Sequence, residues 1–250
     1  ALTISKSLPK NSGTVIVKHA NPCGVSINKN NLKSYQLALA CDPISAFGGI
    51  VSCNYKVNKT LAMELNNIFL EVIIANGFDP MALKLLKKKK NLRIIDATNF
   101  TIKNLVRFNS ANDSFLTQSE DLEKFNIKNF EIVSKKKPSK SQFRNLIFAF
   151  NVCRYVKSNA IVLASQVSTV GIGSGQPSRL DSCQIAIDKM NKFENFNNDV
   201  VAASDAFFPF VDGIEKLVQS GISAVIQPSG SIRDKEIIKF ANQTNTILVF

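Results

Sequence analysis

Short apolar runs alternate with amphipathic segments along the chain, and this alternation predicts an α/β protein. The runs "TVIVKHA", "EVIIA" and "NAIVLA" are short and rich in β-branched residues, as in buried strands. The segments "NLKSYQLALA" and "RLDSCQIAIDKM" carry apolar residues at helical spacing. Strands and helices that alternate in this way are typical of layered folds in which helices cover a sheet.

The pattern is interrupted in the middle of the chain. Residues 100–137 are polar and irregular, and a new strand–helix series begins at Pro138 and Ser139, which suit the start of a helix. We therefore predict two α/β units, residues 1–137 and 138–250. No short sequence repeat is visible, which argues against a solenoid.

Composition narrows the class of protein. No apolar run is long enough to span a bilayer, and the N-terminus has no signal-peptide core, so we expect a cytoplasmic protein with no membrane partner. The chain has five widely spaced cysteines and no CxxC pair. This argues against a disulfide framework or a zinc knuckle and fits a reducing compartment.

The formal net charge of +12 leaves two explanations open. The lysines are either solvated residues that reflect base composition, or they attract anionic ligands. The lysine runs 87–90 and 135–137 lack the interleaved aromatic residues of a nucleic-acid platform. We therefore expect no nucleic-acid partner.

The first candidate for chemistry is the pair Lys18 and His19, which includes the single histidine of the chain. Neighbouring side chains of a strand point to opposite faces, so both reach one site only where the strand ends. We predict that "NPCG", directly after the pair, forms that turn. A neighbouring cation favours the neutral imidazole, which could accept a proton, and the lysine could stabilise a developing negative charge. A buried structural histidine beside a solvated lysine remains the alternative.

Three further motifs have both a functional and a structural interpretation. The glycine pair of "DPISAFGGIV" allows a ligand to approach the backbone, or forms only a tight turn. In "VGIGSGQPSR", glycines precede Arg179 at a helix start, an arrangement that favours anions, although it is neither a Walker A loop nor GxGxxG. The aromatic cluster "SDAFFPF" could stack on a planar heterocycle or belong to the core. Asn159, at a strand start, could hydrogen-bond an amide ligand.

A zinc site is not expected. With one histidine, no CxxC and no HxE, the chain lacks the zinc-deaminase signature. Cys23 lies close to His19 in sequence, but no third group of a nucleophilic triad is evident.

Six long motifs together resemble one family, the formyltransferase domain of the bifunctional purine-biosynthesis enzyme in which AICAR transformylase is fused to IMP cyclohydrolase. They follow the family's order over nearly the whole chain: "VKHANPCGV", "DPISAFGGIV", "VKSNAIVLA", "GIGSGQPSR", "ASDAFFPFVDGIE" and "VIQPSGSIRDKEI". The resemblance implies two tandem cytidine-deaminase-like units, with α/β/α layers and mixed sheets but no zinc. It also implies a homodimer with active sites at the subunit interface.

The reaction that the resemblance implies is formyl transfer from 10-formyltetrahydrofolate to the 5-amine of AICAR ribotide, which gives FAICAR in purine biosynthesis. It assigns His19 as the base, Lys18 as the group that steadies negative charge, and Asn159 as the group that orients the carboxamide or the formyl oxygen. The implied ribotide-binding positions are Gly48, Glu71, Arg179 and Phe207. The implied folate-binding positions are Phe47, Pro209, Phe210 and Asp212.

The chain also departs from the family pattern. The cyclohydrolase half is absent, and we expect the formyltransferase domain to be truncated at both ends, since the family's terminal Arg-His-Phe stretch is missing. Three alternatives follow: an inactive fragment that still binds ligand or dimerises, an RNA-binding module, and a zinc deaminase.

Overall fold

A computed structural model describes residues 1–101, 106–119, 121, 125–193 and 199–250. The helices are α1 (Leu2–Ser7), α2 (Asn31–Cys41), α3 (Lys59–Leu65), α4 (Pro80–Leu86), α5 (Lys140–Cys153), α6 (Arg179–Phe193), α7 (Val211–Gln219) and α8 (Asp234–Gln243). The first strands are β1 (Gly13–Lys18), β2 (Asn21–Ile27), β3 (Gly49–Cys53), β4 (Leu70–Ala75), β5 (Arg93–Asp96), β6 (Val106–Ala111) and β7 (Ser114–Ser119). The later strands are β8 (Ile161–Ser165), β9 (Ser168–Gly173), β10 (Val201–Ser204), β11 (Ala224–Ile226) and β12 (Ile247–Val249).

One mixed sheet of ten strands forms the centre of the molecule, in the order β12-β11-β10-β8-β9-β2-β1-β3-β4-β5. From the middle outwards, each half has the same arrangement. Two antiparallel pairings come first, and two parallel pairings follow. The halves meet where β2 pairs with β9 at Ser26 and Ser168, whose hydroxyl oxygens lie 2.7 Å apart. A mixed α/β fold is thereby confirmed.

Helices cover both faces of this sheet. Helix α5 packs with Val15 and Val17 of β1 and with Val162 of β8 in one hydrophobic cluster, which α1 also joins. On the other face, Ile16 lies in a cluster with α2, α3 and α4, and Ile161 lies in a cluster with α6, α7 and α8. Adjacent strand residues thus point to different helix layers, as the pleat requires.

The predicted turn at "NPCG" is wrong, because Asn21–Ile27 forms strand β2. Its pairing with β1 steps from Ile16 opposite Gly24 to Val17 opposite Pro22, so Cys23 is an extra residue in a bulge. A bulge is one of the places where a strand accepts proline, which has no N–H to donate to the ladder. The reversal itself occurs earlier, at His19 and Ala20.

The predicted start of a helix after Pro138 is confirmed. Ser139 caps α5 and forms a capping box with Gln142: the serine hydroxyl accepts from the Gln142 N–H at 3.1 Å, and the glutamine oxygen accepts from the Ser139 N–H at 3.0 Å. The polar middle region contains an element that the sequence did not suggest. Strands β6 and β7 pair in a separate antiparallel hairpin whose residues are all exposed.

Candidate active site

Strand directions place the candidate residues along one edge of the central sheet. Strand β1 ends at Lys18, and β3, which is antiparallel to it, begins there. The alternation continues through β2, β9 and β8, so β8 begins and β10 ends at the same edge. We call this the Lys18 edge. Residues far apart in sequence, such as Lys18 and Asn159, therefore share one side of the molecule.

The Lys18 side chain is fixed against the glycine turn that precedes β3. Its Nζ donates to the Gly48 carbonyl at 3.1 Å. Gly48 has a φ of +68°, and a Cβ placed on it would lie 2.8 Å from the lysine Nζ. The backbone conformation therefore favours glycine here, and any larger residue would also displace the lysine ammonium from the Gly48 carbonyl.

His19 is exposed and occupies the first position of the turn between β1 and β2. Its φ of +54° lies in the left-handed region, where glycine and asparagine are usual in such turns. A histidine at such a position costs stability, and non-glycine residues in this region are concentrated at functional sites. The side chain is exposed to solvent and follows Lys18 directly.

An exposed aromatic pair adjoins the lysine. The rings of Phe47 and Phe69 lie 5.3 Å apart at 47°, and 62% and 46% of these two residues are exposed. The Gly48 N–H donates to the Phe69 carbonyl at 2.8 Å, which joins the turn to the start of β4, where Glu71 is exposed. Phe69 lies outside the motifs that the sequence pattern singles out. The signal available was its place just before a strand that begins at the same edge.

The side chain of Asn159 is held by three hydrogen bonds within the chain. Its Nδ2 donates to the carbonyls of Gln176 at 2.8 Å and Pro177 at 3.0 Å, and its Oδ1 accepts from Arg179 at 2.7 Å. An amide has two donor hydrogens and an oxygen with two lone pairs. Both donors are in use, so the side chain has one acceptor position left for a ligand.

Arg179 is paired inside the protein rather than open to solvent. Its guanidinium donates to the Ser204 hydroxyl at 2.8 Å and to the Asp205 carboxylate at 2.5 Å, and 11% of its side chain is exposed. Burial raises the pKa of Asp205, but hydrogen bonds from Ser158 and Arg179 outweigh it, and the pKa lies below its ordinary value. No local pattern singles out Asp205, although it lies in the motif "SDAFFPF".

The two groups of residues are joined through β2. The Asn21 side chain accepts from the Lys157 N–H at 2.9 Å, and Lys157 precedes Asn159 by two residues. Asn21 is the strand partner of Lys18. Among the hydrogen bonds of the described residues, none connects Lys18 or His19 directly with Asn159. The two groups lie at the same edge of the sheet, with β2 and β9 between β1 and β8.

The aromatic motif after β10 divides between the core and the surface. Phe208 is buried, whereas Phe207 and Phe210 are 38% and 51% exposed. The Arg233 guanidinium lies 4.7 Å from the centre of the Phe210 ring. Pro209 is exposed between these rings, and exposed Asp212 accepts from the Gly213 N–H at 2.7 Å in the first turn of α7.

Cys23 is unsuited to nucleophilic attack. The thiol is buried and lies 3.6 Å from the Ile16 carbonyl. Burial, followed by the charge of Asp42, raises the pKa of Cys23 to about 12, so the thiolate is scarce near neutral pH. The described ranges contain no group of three histidine, cysteine or acidic side chains placed to hold a metal ion. Within the same ranges, no helix is long and apolar enough to cross a membrane.

Comparison with known proteins identifies the family. The family model described as "AICARFT/IMPCHase bienzyme" matches residues 1–189. The chain belongs to this family. The match covers Lys18, His19, Asn159 and Arg179, so the resemblance noted in the motifs is confirmed.

Relatives extend the similarity over the rest of the chain. "Bifunctional purine biosynthesis protein PurH" of Aquifex aeolicus is 40% identical over all of this chain and 49% of its own length. The PurH proteins of Buchnera aphidicola from Schizaphis graminum and of Persephonella marina are 45% and 44% identical over 94% of this chain. These alignments cover 45% and 46% of the two relatives. The chain thus spans about half the length of the curated relatives it matches.

Proposed function

We propose that this chain is the formyltransferase part of a bifunctional purine-biosynthesis enzyme and acts in the cytoplasm. It transfers the formyl group of 10-formyltetrahydrofolate to the 5-amine of AICAR ribotide and so produces FAICAR. The observation that carries the proposal is the Lys18 edge, because this edge of the sheet carries an exposed histidine, a fixed lysine and a preorganised asparagine in a member of this family.

Formyl transfer needs a base for the amine proton and a hydrogen-bond donor for the oxygen that becomes negative. The amine of AICAR is conjugated with an imidazole carboxamide and is a weak nucleophile, and its attack on the formyl carbon places negative charge on oxygen. His19, exposed on its turn, removes the amine proton. Lys18 donates one hydrogen to Gly48, so two of its three ammonium hydrogens remain for the formyl oxygen or for the departing folate nitrogen.

Asn159 recognises the carboxamide rather than the formyl oxygen. The formyl oxygen needs a donor, and both donors of Asn159 are already given to Gln176 and Pro177. The remaining lone pair of Oδ1 suits an N–H of the carboxamide. The pairing of Arg179 with Asp205 likewise supports a role for the arginine in holding Asn159. These bonds use three of its five N–H groups, and we assign the remaining donors to the ribotide.

Exposed aromatic residues at this edge fit the remaining substrate surface. We assign the Phe47 and Phe69 pair and exposed Phe210 to the folate rings, with Pro209 and Asp212 beside them. Phe207, Gly48 and Glu71 are assigned to the ribotide. The net charge of +12 favours two anionic substrates.

We further propose that the two halves are tandem cytidine-deaminase-like units without zinc, with their division near residue 137. The duplicated strand order supports this assignment. A homodimer is part of the proposal, because one face of the β6–β7 hairpin exposes Val106, Phe108 and Phe115 with no charged residue among them. Two strands alone are marginally stable, so this face needs a partner surface.

The test compares His19→Ala with Gln166→Ala, which alters an exposed turn residue at the opposite edge of the sheet. Release of tetrahydrofolate is followed by absorbance, and binding of AICAR ribotide by calorimetry. His19→Ala should lower the transfer rate by about 10²–10⁴-fold with little change in ribotide affinity, and Gln166→Ala should leave both unchanged.

Two outcomes would contradict the proposal in different ways. Ribotide binding without any transfer by the unaltered chain would show the inactive fragment instead. Near-normal transfer by His19→Ala would remove this residue from the role of base.

A further inference from the structure

Asp205 links the two residues that define the asparagine site. One carboxylate oxygen accepts from the Arg179 guanidinium and also from the Ala160 N–H at 3.0 Å. Ala160 follows Asn159 directly, and the same guanidinium donates to the Asn159 side chain. The carboxylate therefore holds Asn159 twice, through the backbone next to it and through the arginine.

The geometry of a guanidinium transmits this restraint. Its nitrogens lie in one plane, so fixing one fixes the direction of the other. The first terminal nitrogen of Arg179 donates to Ser204 and Asp205, and the second donates to Asn159. Without the carboxylate, the plane could rotate and the Asn159 oxygen would lose its orientation.

Burial makes the arrangement stronger than a surface ion pair. The side chains of Arg179 and Asp205 are 11% and 16% exposed, and Ser204 is fully buried. Pairs that are shielded from water in this way are weakened little by salt or by competing water. The Ser204 hydroxyl also donates to the Ala206 carbonyl at 2.7 Å, which leaves its oxygen free to accept from Arg179.

We propose that Asp205 is a positioning residue of the formyl transfer, acting through Arg179 to aim the free acceptor of Asn159 at the ribotide carboxamide. The kinetic part of this inference rests on the proposed function. If Asp205 acts only in this way, its removal should affect the rate through Asn159 alone.

A double-mutant cycle tests that dependence. Asp205→Asn should lower kcat by at least about tenfold, since misplacement of a reacting group by about 1 Å can cost about 10²-fold. In an Asn159→Ala background, Asp205→Asn should cause less than about a twofold further loss. Asp181→Asn, the same change at an exposed site in the first turn of α6, is the control and should leave kcat unchanged. Equal losses from Asp205→Asn in both backgrounds would overturn the proposal.

A second measurement does not depend on activity. In the unaltered protein the Asn159 side-chain amide donates both hydrogens, so NMR should show slow hydrogen exchange for it. Exchange should quicken at least about tenfold in Asp205→Asn and stay slow in Asp181→Asn. If the unaltered protein shows no transfer, the proposed function fails while this readout still decides the positioning role. Unchanged exchange in Asp205→Asn would overturn it.

Discussion

The two halves of the sheet use one position, the residue after their third strand, in different ways. In the first half Asn54 follows β3 and accepts from the N–H groups of Ser12 and Gly13, at 3.0 and 2.8 Å, just before β1. In the second half Asp205 follows β10 and accepts from Ala160 just before β8. Because the halves run in opposite directions, these matching sites lie at opposite edges.

The surroundings of Asn54 and Asp205 differ in charge and in how far other elements cover each residue. The Asn54 amide donates to the carbonyls of Ser5 and Pro9, at 2.9 Å each, and α1 and the loop after it close over the residue. Asp205 instead faces a guanidinium at the Lys18 edge. The same position in the two halves thus carries a neutral, covered amide at one edge of the sheet and an ion pair at the other.

The largest effect on stability is expected when a carboxylate replaces the Asn54 amide at the covered edge. Asn54→Asp would replace the group that donates to these carbonyls by a carboxylate oxygen that faces them. An uncompensated buried charge typically costs about 3–5 kcal/mol. We expect a loss of that order in the free energy of unfolding by urea at pH 7, and a smaller loss at pH 4, where a protonated carboxyl could donate.

Asn58→Asp provides the control for this experiment. Asn58 caps α3 with its side chain, is exposed, and accepts from the Leu61 N–H, a role that aspartate fills equally well. Its effect should stay within about 0.5 kcal/mol. A similar small effect for Asn54→Asp would show that the covered site tolerates charge and that the contrast between the edges is not energetic.

The next effect concerns one of the ion pairs that join the halves. Asp42, at the end of α2, pairs with Lys189 of α6 at 2.7 Å. Burial raises the pKa of Asp42, but hydrogen bonds from Lys189 and Ser45 outweigh it, and the pKa is lowered. The carboxylate therefore stabilises the fold above the ordinary aspartate pKa of about 4, and this contribution disappears as the pH falls through the lower folded value.

Asp42→Asn should cost about 1–3 kcal/mol at pH 7, the range for hydrogen bonds to charged groups. The gap to the unaltered protein should narrow below about pH 4, because both proteins then lack the charge. Urea unfolding measured at several pH values checks this. Asp188→Asn, at an exposed site on α6, serves as the control. A gap that does not change with pH would argue against an ionic origin.

Much of this fold follows from local pattern. Apolar strands such as 161–165 and the capped start of α5 are specified by residues within one short window, and the structure confirms them. The strand β2 was not predictable in the same way. Pro22 and Gly24 are typical turn residues, and only pairing with β1 around the Cys23 bulge makes them a strand.

The candidate site likewise contains residues that the sequence indicates and contacts that it does not. The sequence motifs contain Lys18, His19 and Asn159. The pairing of Arg179 with Asp205, in contrast, depends on a contact across 26 residues of sequence. Arginine at a helix start after glycines predicts an anion site, and no local feature shows that a carboxylate from another loop is the anion. Contacts that close over such distances are decided by the sheet order, which local pattern does not determine.

A smaller effect compares the helices that precede the two halves. Helix α1 has no side-chain cap, whereas α5 begins with the Ser139 capping box. Ser139→Ala should lower the free energy of unfolding by about 1 kcal/mol, because it leaves helix N–H groups without an acceptor. Ser141→Ala, an exposed change within the first turn, is the control and should be neutral or slightly stabilising. Equal effects of the two changes would show that the cap contributes nothing.

The smallest effect concerns two of the hairpin turns, those between β1 and β2 and between β8 and β9, which each contain left-handed residues. Gln166, in the turn between β8 and β9, has a φ of +51° and is exposed, like His19 at +54°. Glycine accepts this conformation without the steric cost but loses more chain entropy on folding, so each substitution by glycine should stabilise by at most about 1 kcal/mol. Gln166→Gly should keep full formyl transfer, whereas His19→Gly should gain similar stability and lose transfer. Thermal unfolding and the transfer assay together decide this, and a His19→Gly protein that is both no more stable and fully active would show that its strained turn serves no chemistry.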